Sequence, residues 1–320
     1  MVYIIILHWN NFRCTDFCLN SLRSISYKNF KILVVDNNST DNSLEMLKNK
    51  YNEAIYLNSN ENVGFARGCN LGIKFALKEK AEYILLLNND VEVSPGFIEP
   101  LIDIFNVERK VGIVTPKILY RDNRSLIWHA GGYISLKTIT PVARGYNEID
   151  NGQYDDIVCT EWASGACCIF PAEVLSEMGL LESAYFFGQE EWDFSSKAIQ
   201  LGYKIVYCPS SIVYHEVNQS TTKNPGIYAY QNVYNKFFYG KKYLKVNKFY
   251  IWALKYTIYL ILFFPKKSLH TSLNSGEIYL KSAKKAALWG ALDFFKGVYI
   301  DVNRINHVNE YYERKYSDNS

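Results

Sequence analysis

Four groups of residues have side chains suited to chemistry, and each sits where a strand-like or helix-like run begins or ends. The densest is Phe186-Phe187-Gly188-Gln189-Glu190-Glu191-Trp192-Asp193, with three carboxylates in four residues. Such carboxylates repel one another unless a helix N-terminus, a cation or a substrate offsets them. A general base that takes a proton from a hydroxyl is the obvious task for such a cluster. A solvated acidic helix start is the plain alternative. In Leu85-Leu86-Leu87-Asn88-Asn89-Asp90 an apolar strand delivers one carboxylate into a polar tripeptide. This presents an oxygen ligand to Mg2+ or Mn2+, with a diphosphate filling much of the remaining coordination sphere. Asp36 closes the apolar run Ile32-Leu33-Val34-Val35. It reads equally as an acceptor for a nucleobase or ribose and as an Asx turn. His215 follows Ile212-Val213-Tyr214 and has the best ligand setting of the five histidines. His8 and His129 have less support, and His270 and His307 have none.

A fifth segment, Asn60 to Asn70, places Gly64 and Gly68 about a helix start, with Arg67 between them. Free N–H groups there suit a diphosphate, although small residues that let a helix pack closely are the simpler explanation. No Gly-Lys-Ser/Thr follows, so the segment is not a Walker loop.

These residues need a scaffold that alternates strand and helix. Val2–Leu7, Ile32–Val35, Ala54–Leu57 and Tyr83–Leu87 read as buried strands. Cys14–Ile25, a stretch from Ser39-Thr40-Asp41 through Leu47, and Gly64–Leu77 read as helices between them. That order predicts an α/β fold with a mainly parallel sheet, right-handed crossovers and ligands at the C-terminal ends of the strands. From Val111 to about Gly188 the pattern is irregular. Glu191–Leu201 reads as a helix and Lys204–Tyr207 as a strand. The expected division is a domain over 1–224, with a nucleotide half over about 1–110 and an acceptor half over about 111–224. A basic, aromatic, mainly helical region follows over 225–320.

Charge supports the split. Residues 225–320 hold 15 Lys/Arg against 6 Asp/Glu, within a chain whose net charge is only +3. Such a tail implies an anionic partner. Because its charges are interleaved with apolar runs, a membrane surface fits better than nucleic acid. Phe249–Phe264 is apolar but for Lys255 and Thr257, and Pro265-Lys266-Lys267 follows. It falls short of the roughly 20 residues of a membrane span, so an interfacial or re-entrant helix is expected, with a helix packed on the main domain as the alternative. The seven cysteines show no CxxC spacing and no zinc set, which fits reduced cytosolic thiols. The opening Met1-Val2-Tyr3-Ile4 predicts no cleaved leader.

In order along the chain, these motifs resemble the inverting family-2 glycosyltransferases of GT-A fold, most closely the rhamnosyltransferase-like branch, over roughly Val2 to Thr222. Ile4-Ile5-Ile6-Leu7-His8-Trp9-Asn10 is similar to the opening strand that contacts the nucleotide. Val34-Val35-Asp36-Asn37-Asn38-Ser39-Thr40-Asp41 resembles the base-binding turn. Gly64–Asn70 resembles the glycine-rich helix start near the donor. Asn88-Asn89-Asp90 resembles the metal motif, with Asn88 where many relatives carry Asp. Ala163-Ser164-Gly165-Ala166 resembles the acceptor-side strand, Glu190-Glu191-Trp192-Asp193 the acidic base motif and His215 the late histidine.

The resemblance implies that His8, Asn10, Asp36, Asn38, Gly64, Arg67, Asn70 and Asn89 bind a TDP- or UDP-sugar donor. It assigns Trp162, Ser164, Gly165 and Trp192 to the acceptor, and Asp90 and His215 to Mg2+ or Mn2+. The base is Glu191 by position, with Asp193 as the alternative and Glu190 beside them. A single in-line displacement would invert the anomeric carbon. No Gln-x-x-Arg-Trp motif of processive synthases occurs, so one sugar per encounter is expected. Rhamnose from TDP-rhamnose is the first guess, ahead of UDP-hexoses and UDP-galactofuranose. The acceptor would be a cell-surface or lipid-diphosphate-linked glycan, met by a cytoplasmic protein on the inner face of the cell membrane. The rival readings are a nucleotidyltransferase, which lacks its basic glycine-rich loop here, and a non-catalytic nucleotide- or glycan-binding protein.

Overall fold

The computed structural model describes residues 1–217, 225–263 and 277–317. His270, the Phe264-Pro265-Lys266-Lys267 stretch, Thr222 and the expected 224/225 boundary lie outside the described residues. Two compact units emerge from the contacts. The first comprises Met1–Ile134, Pro141–Ser183 and Glu190–Val217. The second groups Ser135–Thr140 and Ala184–Gln189 with the described part of Asn218–Ser320.

In the first unit the elements run β1 (Val2–His8), α1 (Phe12–Leu22), β2 (Phe30–Asp36), α2 (Ser43–Lys50), β3 (Ile55–Asn58), α3 (Phe65–Lys78) and β4 (Tyr83–Leu87). Next come β5 (Val91–Val93), α4 (Ile98–Val107), β6 (Val111–Tyr120), β7 (Ile127–His129), β8 (Gly132–Ser135), β9 (Thr140–Ala143), β10 (Val158–Thr160) and β11 (Cys167–Pro171). A short α5 (Leu175–Met178), α6 (Glu190–Gln200) and β12 (Lys204–His215) complete it. The sheet order is β10-β12-β6-β11-β4-β1-β2-β3, with β5 on β12 and β7 on β6. β3, β2, β1 and β4 run parallel. β11 enters antiparallel between β4 and β6.

The alternating faces of β1 explain the layers. Val2, Ile4 and Ile6 enter one core cluster with α1 and α4; Tyr3 and Ile5 enter the other with α3. That two-sided burial is what an unbroken apolar strand requires. The glycines of α3 serve this packing. A Cβ on Gly68 would lie 2.4 Å from Leu7 Cδ1, and one on Gly72 would lie 2.6 Å from Ile5 Cγ2.

β12 is longer than the sequence pattern predicts. The Lys204–Tyr207 run and the Ile212-Val213-Tyr214 run form one strand, joined across a shift of register between Cys208 and Ile212. Its far end pairs antiparallel with β5, His215 opposite Val91. This pairing sets up the site.

His129 of β7 is fully buried, its ring edge-to-face with Trp162 at 4.6 Å. Burial drives its pKa down from 6.5 to about 3. The unfolded chain therefore binds a proton between those values that the folded chain refuses, so stability falls as pH falls through that window. Between neutrality and about pH 5 the loss is on the order of 2 kcal/mol, at about 1.4 kcal/mol per pH unit below the unfolded pKa. Denaturant unfolding against pH should show this slope, and His129→Gln should flatten it.

The second unit holds α7 (Pro225–Tyr243), α8 (Val246–Phe263), α9 (Glu277–Lys296) and α10 (Val302–Ser317). α7 and α9 cross tightly because Gly290 has no side chain: a Cβ there would sit 2.3 Å from the Tyr230 carbonyl oxygen. Beside it, Asp293 accepts hydrogen bonds from Tyr230 at 2.6 Å and Arg304 at 2.7 Å. No described helix is long and apolar enough to cross a membrane.

Candidate active site

β1 and β2 end side by side, His8 opposite Asp36. Asp36 is buried, and its carboxylate accepts from the Ser39 amide at 3.1 Å and the Ser39 hydroxyl at 2.5 Å. It thus forms the Asx turn that shapes the Asn37–Asn42 loop. Asn10, left-handed at φ 55°, staples this loop to the end of β1: its side-chain oxygen accepts from Thr40 N at 2.8 Å. Asn38, at φ 61°, stands exposed at the loop's tip. Trp9 beside them is 53% exposed, an uncovered ring at the mouth of two strands.

His8 has a different task from the nucleotide contact expected of it. Its ring is wholly buried and both nitrogens are engaged, Nδ1 with Thr15 Oγ1 at 2.7 Å and Nε2 with Ser43 Oγ at 2.8 Å. The proton positions follow by elimination. Ser43 donates its hydroxyl hydrogen to Asp41 Oδ1, so Nε2 must carry the proton that reaches Ser43 Oγ. Nδ1 is then the acceptor for the Thr15 hydroxyl, and Thr15 Oγ1 in turn receives Asn89 Nδ2 at 3.0 Å. One directed chain runs from Asn89 through Thr15, His8 and Ser43 to Asp41. Burial holds the His8 pKa below its usual value despite the pull of Asp36 and Asp41, which keeps the ring neutral. Thr15→Val strands a buried acceptor and an amide donor, so unfolding should show a loss of about 1–3 kcal/mol that Thr15→Ser restores.

The glycine-bearing helix start is braced from within. Asn37 accepts from Val63 N at 2.9 Å and donates to Asn62 Oδ1 at 2.9 Å. Gly64, at φ 81°, adopts a backbone conformation that side chains resist. Arg67 Nε donates to the Ser183 carbonyl at 3.1 Å. Asn70 is a second correction. Its buried amide pairs twice with the Leu181 backbone, at 2.9 and 3.1 Å, and so fixes the segment before α6 rather than facing a ligand.

Asp90 and His215 do converge. The β5–β12 ladder, extended by Glu216 N donating to the Asp90 carbonyl at 2.9 Å, brings His215 Nε2 to 3.1 Å from Asp90 Oδ1. Trp128 stacks edge-to-face on the His215 ring at 4.7 Å and fixes its plane. Asn88 Oδ1 and His215 Nδ1 are buried without a hydrogen-bond partner. Orphaned donor atoms beside a carboxylate fit a divalent cation. No third His, Cys, Asp or Glu joins the pair among the described residues, so ligand oxygens and water would have to complete the shell.

The acidic cluster opens α6 and divides by burial. Glu190 and Asp193 are 5% and 1% exposed, whereas Glu191 is only partly buried. Glu190 and Glu191 line a small, mostly enclosed cleft with Phe65, Gly165 and Leu181. A Cβ on Gly165 would meet the Glu191 side chain at 3.5–3.8 Å, so the glycine floors that carboxylate closely. Ser164 is buried and accepts from Ala166 N at 3.1 Å. Trp162 and Trp192 are buried as well, so of the four expected acceptor residues only Gly165 borders the cleft.

The loop before α6 carries two left-handed residues, Gly188 and Gln189, and Asn235 of α7 clasps it. Asn235 Nδ2 donates to the Phe187 and Gly188 carbonyls at 3.0 and 2.8 Å and to Gln189 Oε1 at 2.8 Å. Sequence reasoning missed Asn235, Thr15, Ser43 and Trp128. None stands in a motif; the place of Trp128 next to His129 was its one signal in the sequence.

Comparisons with known proteins agree on a family. The model described as "Glycosyl transferase family 2" matches residues 3–175. An N-acetylglucosaminyl-diphospho-decaprenol L-rhamnosyltransferase of Mycobacterium tuberculosis is 24% identical over 232 residues, which is 65% of this chain and 73% of that protein. A low-salt glycan biosynthesis hexosyltransferase, Agl10, of Haloferax volcanii is 25% identical over 214 residues, 65% of this chain and 66% of its own. Among solved structures, GalNAc-T7 with UDP, GalNAc and Mn2+ superposes at TM-score 0.62 with 14% identity, over 93% of this chain and 57% of that one. The Pyrobaculum calidifontis mannosyltransferase PcManGT with GDP-Man and Mn2+ superposes at 0.55 with 14% identity, over 92% and 86%. At that identity the likeness speaks for the fold.

Proposed function

Because this chain belongs to glycosyl transferase family 2, we propose that it is an inverting, non-processive, metal-dependent enzyme moving one sugar from a nucleotide-sugar to a glycan hydroxyl. The observation that carries the proposal is the meeting of Asp90 and His215 at 3.1 Å, brought about by the β5–β12 pairing. Rhamnose is the first sugar to test, on the strength of the mycobacterial relative's name, with TDP as its carrier from the resemblance of the motifs. The same name favours a lipid-diphosphate-linked acceptor, met on the inner face of the cell membrane by a peripheral protein.

In this reading the Asp36 turn and Trp9 receive the base and ribose, with Asn10 and Asn38 at the rim and Gly64 and Arg67 toward the diphosphate. Asp90 and His215, with Asn88 and Asn89 beside them, would hold Mg2+ or Mn2+. When bound, that cation neutralises charge on the departing nucleoside diphosphate. Asn89 is kept in register by its bond to Thr15. Glu191 takes the proton from the acceptor hydroxyl, which attacks the anomeric carbon opposite the leaving group. No second carboxylate is needed, since the leaving group is already good. Asp193, at 1% exposure, serves the structure of α6 instead.

The test is a donor screen with TDP-, UDP- and GDP-sugars, with Mg2+ or Mn2+ against EDTA, read as released nucleoside diphosphate. Metal-dependent turnover of one donor supports the proposal and names the sugar. Absence of both turnover and binding for every donor would sink it in favour of a non-catalytic binding protein.

A further inference from the structure

Helix α8 is apolar over most of its circumference, and only part of that surface is covered. Phe249, Trp252, Ala253 and Leu260 are buried, with the Trp252 ring 5.3 Å from Phe237 of α7. At 3.6 residues per turn the opposite arc carries Tyr250, Ile251, Leu254, Ile258, Ile261 and Leu262. Each of the six is between 45% and 65% exposed. Lys248 and Lys255 stand exposed along one edge of this arc. The helix contains no acidic residue. A contiguous apolar stripe of this kind marks an interaction surface.

We infer that this face of α8 docks on an anionic lipid bilayer, with the helix axis along the surface. Its apolar stripe would enter the headgroup boundary while Lys248 and Lys255 meet lipid phosphates. Charge selects this occupant. An antiparallel isologous contact with a second copy would set the same lysine edge against itself, with no carboxylate on the helix to answer it. The surplus of 15 Lys/Arg over 6 Asp/Glu across residues 225–320 extends the same preference. The helix lies on the bilayer rather than through it, because no described helix can span one. The inference rests on the transferase reading only in purpose, since it names the surface by which a lipid-linked acceptor would be met.

The experiment is co-sedimentation of the full chain with sucrose-loaded vesicles, without donor. Phosphatidylcholine vesicles are compared with vesicles in which roughly a quarter of the lipid is phosphatidylglycerol. The full chain is expected to bind the anionic vesicles and hardly the neutral ones. Leu254→Glu with Ile258→Glu should weaken that binding roughly tenfold or more, and Leu262→Asp alone should weaken it in the same direction. Lys248→Glu with Lys255→Glu should remove the preference for anionic lipid. Circular dichroism and donor turnover, both unchanged, show that the variants fold. Failure of the full chain to bind anionic vesicles, or equal binding by the apolar-face variants, overturns the inference. So does a dimer in sedimentation velocity that Leu254→Glu with Ile258→Glu dissociates, which would give the face to a second copy. Vesicle binding without turnover or binding of any donor would fault the transferase reading and leave this one intact.

Discussion

Glu191→Gln is expected to lower turnover by about 10³-fold, within the range that loss of a general base produces, while donor affinity stays within about twofold. The amide keeps the shape of the carboxylate, so packing over Gly165 survives, but it cannot take a proton from the acceptor. Released nucleoside diphosphate gives the rate and calorimetry gives the donor affinity. Burial separates this effect from that of Asp193→Asn, which should act through stability because Asp193 is almost wholly enclosed. A folded, donor-binding Asp193→Asn protein with no turnover, beside an active Glu191→Gln, would move the base to Asp193.

Asp90→Asn is the second large effect, expected to reduce metal-dependent turnover by about three orders of magnitude, the several kcal/mol that a ligated cation supplies. The fold should not suffer. It is the Asp90 backbone carbonyl, not the side chain, that pairs with Glu216 in the ladder. The metal concentration for half-maximal rate should rise with the loss, and His215→Gln should shift it in the same direction. Donor binding measured in EDTA should be unchanged. Wild-type rates from Asp90→Asn at ordinary metal concentration would remove Asp90 from the coordination sphere.

The parallel half of the sheet was legible because its signals are local. An unbroken apolar strand cannot be mistaken for a half-buried one, and Tyr83–Leu87 is bounded as the pattern predicts. Helix ends moved by one to three residues: α1 begins at Phe12 where Cys14 was expected. β12 was cut short because Pro209 interrupts its apolar run, and the partner that carries the strand past it, β6, lies far back in the chain. Asp90 and His215 carried local signals, a carboxylate at a strand end and a late histidine, and the β5–β12 pairing brings them together. The site was misread at His8 and Asn70, whose polar side chains look like ligands in sequence. Their partners, Thr15, Ser43 and Leu181, carry no spacing that announces them. Asn235 was invisible for the same reason: an amide within a helix says nothing of the loop it clasps.

The short β5–β12 ladder has a consequence for how the protein matures. Asp90 and His215 stand 125 residues apart in the sequence and meet through a three-residue pairing with one backbone bond at each end, Ser94 N to the Ile212 carbonyl and Glu216 N to the Asp90 carbonyl. Loop-closure entropy must be met before so distant a pairing forms. During refolding, the parallel strands β1 to β4 and the helices between them can assemble while the cation-binding pair is still apart. Recovery of Mn2+ affinity should therefore lag behind recovery of secondary structure, which would make metal binding a clock for the last step of folding.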